Sequence, residues 1–342
     1  MMSALSDQLL IVTIVGYLAA MIGHAAEYAL GQAHAAVGAR PGVRQRAPEA
    51  APVGAPSGVQ GPPVSDLPDP PASPPGPPAG RYDGPAPATS RAAVYAGRAA
   101  IGATMAAAVA HLACLVTRAI AAGRPPWGNL YEFELSVTFV GVVVWLVVLA
   151  RQPRLRQLGL FVSLAMVLLI GAAGLIAYTE IKPLMPALQS SWYVVHVSTI
   201  VIASGLFLFG AVPAVMFLVR EGHERGLRSF PYSLGPRVPA AAGLERLTFR
   251  MHAFAFPLFT FGVAAGAIWA EAAWGRYWGW DPKETWSFIS WVVYAGYLHA
   301  RATPYIKRRT AVWLAVLGFA TMLMNLFGVN LFVSGLHSYA DV

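Results

Sequence analysis

Residues 274–286 read Trp274-Gly275-Arg276-Tyr277-Trp278-Gly279-Trp280-Asp281-Pro282-Lys283-Glu284-Thr285-Trp286, with an apolar run on either side, near 251–272 and 285–301. Apolar runs of about 20 residues are long enough to cross a bilayer as helices. The quoted stretch is therefore a loop at a membrane surface. Working outward from it, further apolar runs lie near 8–30, 94–119, 133–150, 158–178, 192–219 and 311–333. The expected fold is all-α, a polytopic integral membrane helix bundle with about eight transmembrane helices.

Composition points the same way. The chain has 342 residues, of which 56% are hydrophobic and 12% charged, whereas a soluble domain carries about 25% charged residues. So few charges cannot cover a water-facing surface. That excludes an ordinary cytosolic enzyme and a solvated nucleic-acid binder, despite a net charge of +8. The first run has a signal-peptide look, because Ala33-His34-Ala35 resembles a cleavage site. Its leading segment has no Lys or Arg and carries Asp7, and its apolar stretch is long for a leader, so it is read as a retained helix. The single cysteine, Cys114, builds no disulfide, zinc site or redox pair, and the chain has no C-x-x-C-H for covalent haem.

Lys and Arg collect in cytoplasmic loops. With the N-terminus outside, the inner segments 31–98, 151–157, 220–250 and 301–310 hold 19 of the 24 basic residues. The outer ones are Arg118, Arg124, Lys182, Arg276 and Lys283. Both termini are expected to be extracytoplasmic, in the cell (inner) membrane. Three parts follow: a first transmembrane helix at 1–34, a linker at 35–93, and a transmembrane core at 94–342 whose outer loop is 273–286. The linker is rich in Pro, Ala and Gly, including Pro74-Pro75-Gly76-Pro77-Pro78, and has almost nothing large and apolar to bury. It is expected to be a disordered cytoplasmic tether, a reading preferred over a proline-rich ligand.

Four tryptophans in thirteen residues exceed what interfacial anchoring asks of a helix end. Trp274, Trp278, Trp280 and Trp286, with Tyr277, suggest a flat apolar surface edged by N–H donors, suited to a large planar ligand. Asp281-Pro282-Lys283-Glu284 reads as a helix start, with Asp281 as N-cap, Pro282 at N1 and Glu284 completing a capping box. Asp281 is thus assigned mainly to geometry. Arg276 and Lys283 are the outer cations best placed to meet an anionic ligand group. Among the histidines, His34 and His223 have no specific role, and His24, His111 and His252 are read as packed, hydrogen-bonded side chains. His196 lies four residues beyond Trp192, about 6 Å into its helix, and His337 follows the last helix on the same outer side. Two outer imidazoles bracketing an aromatic loop suit bis-histidine ligation of haem iron. His299 lies about 20 Å below Trp286, towards the inner leaflet.

These residues together resemble the tryptophan-rich WWD motif of haem-handling proteins, most closely the CcsA-type cytochrome c assembly proteins of System II. The resemblance covers most of the chain after residue 94. It rests on Trp127-Gly128-Asn129-Leu130-Tyr131-Glu132, on Trp278 to Trp286, and on His196, His299 and His337. It implies that haem b arrives from the cytoplasmic side, passes the intramembrane His299, and is presented outside by His196 and His337 to apocytochrome c. It also implies a CcsB/ResB-type membrane partner that supplies another intramembrane histidine. The first helix and the linker lie outside any such motif.

On this reading, thioether attachment uses the two thiols of the apocytochrome as nucleophiles. The chain's part is haem transport and positioning within a ligation complex, so no catalytic residue is assigned to it. Thiol reduction falls to other proteins, since Cys114 cannot cycle a disulfide. The remaining contacts are with membrane lipid. Three rival readings share some of these residues. A b-type electron-transfer protein would pair histidines at matched depths. A haem or solute transporter would need the same residues without ligating. The System I branch shares the tryptophan motif, but the Trp127–Glu132 segment and the position of His299 favour System II. Asn129 and Glu132 are explained by a turn and a helix-start carboxylate, their roles otherwise open.

Overall fold

The computed structural model describes residues 2–38, 90–333 and 335–336, with the side chains of 32–38 and 187 excepted. Most of the linker, at 39–89, and His337 lie outside the described residues. The order is α1 (Met2–Gly38), α2 (Arg91–Ala122), α3 (Leu130–Arg151), α4 (Gly159–Leu175), α5 (Ser191–Glu224), α6 (Ala241–Trp274), α7 (Pro282–Ala302), α8 (Arg308–Leu323) and α9 (Val329–Phe332). A π-helical turn, Met324–Gly328, joins the last two. The described residues contain no strand.

Seven spans are long and apolar enough to cross a membrane by length and composition, and the chain is a multi-pass membrane protein. The sequence led us to expect eight. The difference is α7, whose 21 residues make a rod of about 31 Å. Lys283, Glu284, His299 and Arg301 sit at its ends, and tyrosine and tryptophan replace aliphatic residues along it. Its length suits a crossing, but its composition falls short of the other seven. α6 starts ten residues before its apolar run, because Glu245, Arg246 and Arg250 belong to the same continuous helix.

Local sequence sets the ends of these helices. Gly123 and Gly275 take left-handed conformations (φ 62° and 70°) and close α2 and α6. Asn129 and Ser190 cap α3 and α5, accepting N–H groups from Glu132 and Trp192. Between apolar helices in lipid, close packing supplies the attraction. α1 crosses α2 where Gly16 meets Ala107 and Gly23 meets Ala100. α3 and α5 fill the centre with Trp145 and Phe209. At the end opposite the tryptophan loop, Arg301 pairs with Glu245, and Arg309 with Glu221 at 3.6 Å.

Candidate functional site

At the tryptophan end, α3, α5, α6, α7 and α8 surround a cavity of about 210 Å³. Its walls are mostly apolar, and His196, Trp127, Trp278, Lys283 and Asn325 are among the side chains that line it. His196 is half-buried, and its orientation is fixed twice. The Nδ1–H donates to the carbonyl of Gly262 at 2.7 Å, and the ring stacks on Trp269 at 5.9 Å with 15° between planes. That hydrogen bond sets the tautomer with the lone pair on Nε2, the form in which imidazole binds a metal. α6 can approach this ring because residue 266 is glycine: a Cβ there would lie 2.6 Å from Nδ1.

The loop between α6 and α7 is locked by its own backbone. The Glu284 carboxylate accepts the N–H groups of Gly279 (2.8 Å) and Asp281 (3.0 Å). Asp281 accepts from Lys283 N at 3.2 Å, completing the expected capping box. Asp281 also accepts the N–H of Leu336 at 2.7 Å, which ties the segment beyond α9 to the loop. Trp280 has a φ of 57°, a conformation uncommon for a bulky side chain. The Arg276 guanidinium occupies the place that a Cβ on residue 279 would take.

The expected single aromatic platform is divided. Trp274 lies beyond the left-handed Gly275 turn and packs on Trp269 at 4.8 Å. Trp278 faces the cavity, while Trp280 stands at 90° to it and is largely exposed. Trp286 and Arg276 are half-buried and do not line the cavity. Asp281 is buried behind it. His299 is exposed on the last turn of α7, away from the cavity that His196 lines. Among the described residues no three His, Cys, Asp or Glu side chains gather to hold a bare metal ion.

Two features go beyond what the sequence showed. Trp269, five residues before the end of α6, is the ring against which His196 stacks. Glu132, fully buried, accepts from Arg118 Nε (2.9 Å), Arg124 Nη1 (2.6 Å) and Gly128 N (2.7 Å). Arg118 reaches on to the carbonyl of Thr179, and Arg124 to that of Lys182 at 3.3 Å. This clamp holds the Trp127 wall, with Tyr193 donating to the Trp127 carbonyl at 2.6 Å. Of the three histidines expected to be packed and hydrogen-bonded, His111 lies beside Tyr17 and His252 donates to Thr248 O, whereas His24 is buried 3.5 Å from Glu27 with no hydrogen bond to either ring nitrogen.

Residues 127–337 match the family described as Cytochrome C assembly protein. The chain is 35% identical over 250 residues to "Cytochrome c biogenesis protein CcsA" of Guillardia theta, covering 67% of this chain and 83% of that one. The same-named protein of Cyanophora paradoxa is 33% identical over 264 residues, covering 66% and 82%. Among solved structures, "Cytochrome c Heme Lyase CcmF" superposes with a TM-score of 0.56 at 16% identity. That match covers 96% of this chain and 47% of the other, and shows a shared fold. The chain belongs to the cytochrome c assembly protein family, of the CcsA type. Its task is cytochrome c assembly, in which apocytochrome c and other assembly components take part. The pairing of α1 with α2 lies outside the matched residues.

Proposed function

We propose that the cavity beside the tryptophan loop holds haem b on the extracytoplasmic face and presents it to apocytochrome c for thioether attachment. The observation that carries this is the setting of His196. Its Nδ1–H is committed to Gly262 O and its ring is stacked on Trp269, beside an apolar cavity rimmed by indole. An axial imidazole needs that tautomer, and a porphyrin needs such walls. His337 is the second axial ligand in this reading. Leu336, its chain neighbour, is tied to Asp281 in the loop.

His299 belongs to a separate site near the cytoplasmic end. An ionisable side chain exposed on a membrane helix marks function, and a Cβ on Gly296, one turn earlier, would meet nothing within 4 Å. A flat ring has room to lie there, with the partner of CcsB/ResB type closing the other side. Haem passes from that site to the outer cavity, in the manner of System II. His196→Ala in the purified complex should lower haem content and remove the low-spin spectrum of the outer site. Full retention of that spectrum would overturn the ligand assignment.

A further inference from the structure

Lys283 is in the first turn of α7, ahead of the apolar run, and lines the cavity. Three carboxylates lie in its neighbourhood. Those of Asp281 and Glu284 are engaged with backbone N–H groups. The third, Glu134 on α3, is 2% exposed, and neither of its oxygens has a hydrogen-bond partner. A carboxylate buried without a partner is costly, so its presence beside a cavity-lining lysine calls for a role. The π-helical turn brings Asn325 to the same place. Its Nδ2 donates to Ser287 Oγ at 2.9 Å, while its buried Oδ1 has no partner. π-turns inside α-helices occur often at functional sites.

We propose that Lys283, with Glu134 behind it, is the acid–base pair of the outer cavity, moving the thiol proton during thioether formation. This rests on the haem-presenting role proposed above. The neutral Lys283 amine takes the proton from a cysteine thiol of the apocytochrome, and the sulfur bonds to the inner vinyl carbon of the haem substrate. The resulting ammonium returns the proton to the terminal vinyl carbon. One S–H bond and one C=C π bond are exchanged for one C–S and one C–H bond, so no oxidant or reductant is required. Burial lowers the Lys283 ammonium to about 8, with Asp281 and Glu134 opposing the shift. A lysine so placed can both accept and return a proton near neutral pH. The other charged or titratable groups lining the cavity are Glu284 on the same turn, His196 and Tyr193 on α5, and Tyr277 in the loop.

The test is single-turnover ligation by the purified complex, using a synthetic apocytochrome peptide with a C-x-x-C-H sequence and ferrous haem. Lys283→Arg keeps the positive charge and cannot deprotonate. It should load haem with an unchanged spectrum yet ligate roughly 100-fold more slowly at pH 7. The deficit should shrink near pH 9, where a thiol of ordinary pKa about 8.5 ionises unaided. Glu134→Gln removes a carboxyl group that opposes the lowering of Lys283, so the rising limb of its pH–rate profile should move to lower pH. Ligation by Lys283→Arg at a near-normal rate would overturn the proposal. So would loss of haem from that variant, which would assign Lys283 to haem binding alone. Failure of the underlying site reads differently, as full haem retention by His196→Ala.

Discussion

The carboxylate of Asp281 accepts the backbone N–H of Leu336 at 2.7 Å while also capping α7 through Lys283 N. One side chain thus fastens the tryptophan loop to the start of α7 and to the chain segment that leads into His337. A residue that does not line the cavity thus joins the loop to Leu336.

Asp281 takes the two N–H groups on separate oxygens, so Asp281→Asn keeps an acceptor for one of them, whereas Asp281→Ala loses both. The alanine variant forfeits a cap worth about 1 kcal/mol and frees the segment at Leu336. Its haem-to-protein ratio should fall, with the asparagine variant between it and the parent. Equal haem content in all three would show that the tether does not matter.

Gly266→Ala places a methyl group 2.6 Å from His196 Nδ1. The ring must turn, losing its bond to Gly262 and its stack on Trp269. Haem affinity should drop about tenfold or more, the equivalent of one hydrogen bond of about 1.5 kcal/mol, with helix content unchanged by circular dichroism. Gly171→Ala, where the added carbon meets nothing within 4 Å, is the matched control and should bind haem normally.

Glu132→Ala leaves Arg118 and Arg124, 1% and 9% exposed at their side chains, without their shared carboxylate. Breaking a buried pair from one side costs about 3–5 kcal/mol. The variant should unfold at markedly lower temperature in detergent, and Arg118→Met combined with it should recover part of the loss. A melting point equal to the parent's would mean that the clamp contributes nothing.

His299→Gln tests the second site. It keeps polarity and approximate size, so a merely packed histidine would tolerate it. Endogenous haem loading should fall, while haem added from the extracytoplasmic side should still bind the outer cavity. Normal cytochrome c maturation by this variant would remove His299 from the route and leave the outer site standing.

The helices were legible because each apolar run needed a single bilayer crossing, and Asp281-Pro282-Lys283-Glu284 announced the start of α7 from its own chemistry. α7 is the least apolar of the expected spans, because tyrosines and tryptophans replace aliphatic residues along it and polar residues stand at its ends. The site was legible in part. His196, Trp278 and Lys283 meet at one cavity, as their side of the membrane suggested. The indole platform was not, because the turn at Gly275 and the positive φ of Trp280 send neighbouring tryptophans in different directions. The stack of Trp269 on His196 joins residues on two helices far apart in sequence, and the clasp of Glu132 by Arg118 bridges the turn between α2 and α3. No local pattern encodes such a meeting; only the packing of α2, α3, α5 and α6 brings it about.

The most direct test of the central claim is the absorption spectrum of the purified His196→Gly complex, with and without imidazole. Removing the side chain leaves a space beside Trp269 where free imidazole can stand in for the missing ligand. The account predicts loss of the low-spin haem bands in the variant and their return on adding imidazole, with thioether formation returning alongside. A His196→Gly complex that keeps the parent spectrum without imidazole would contradict it.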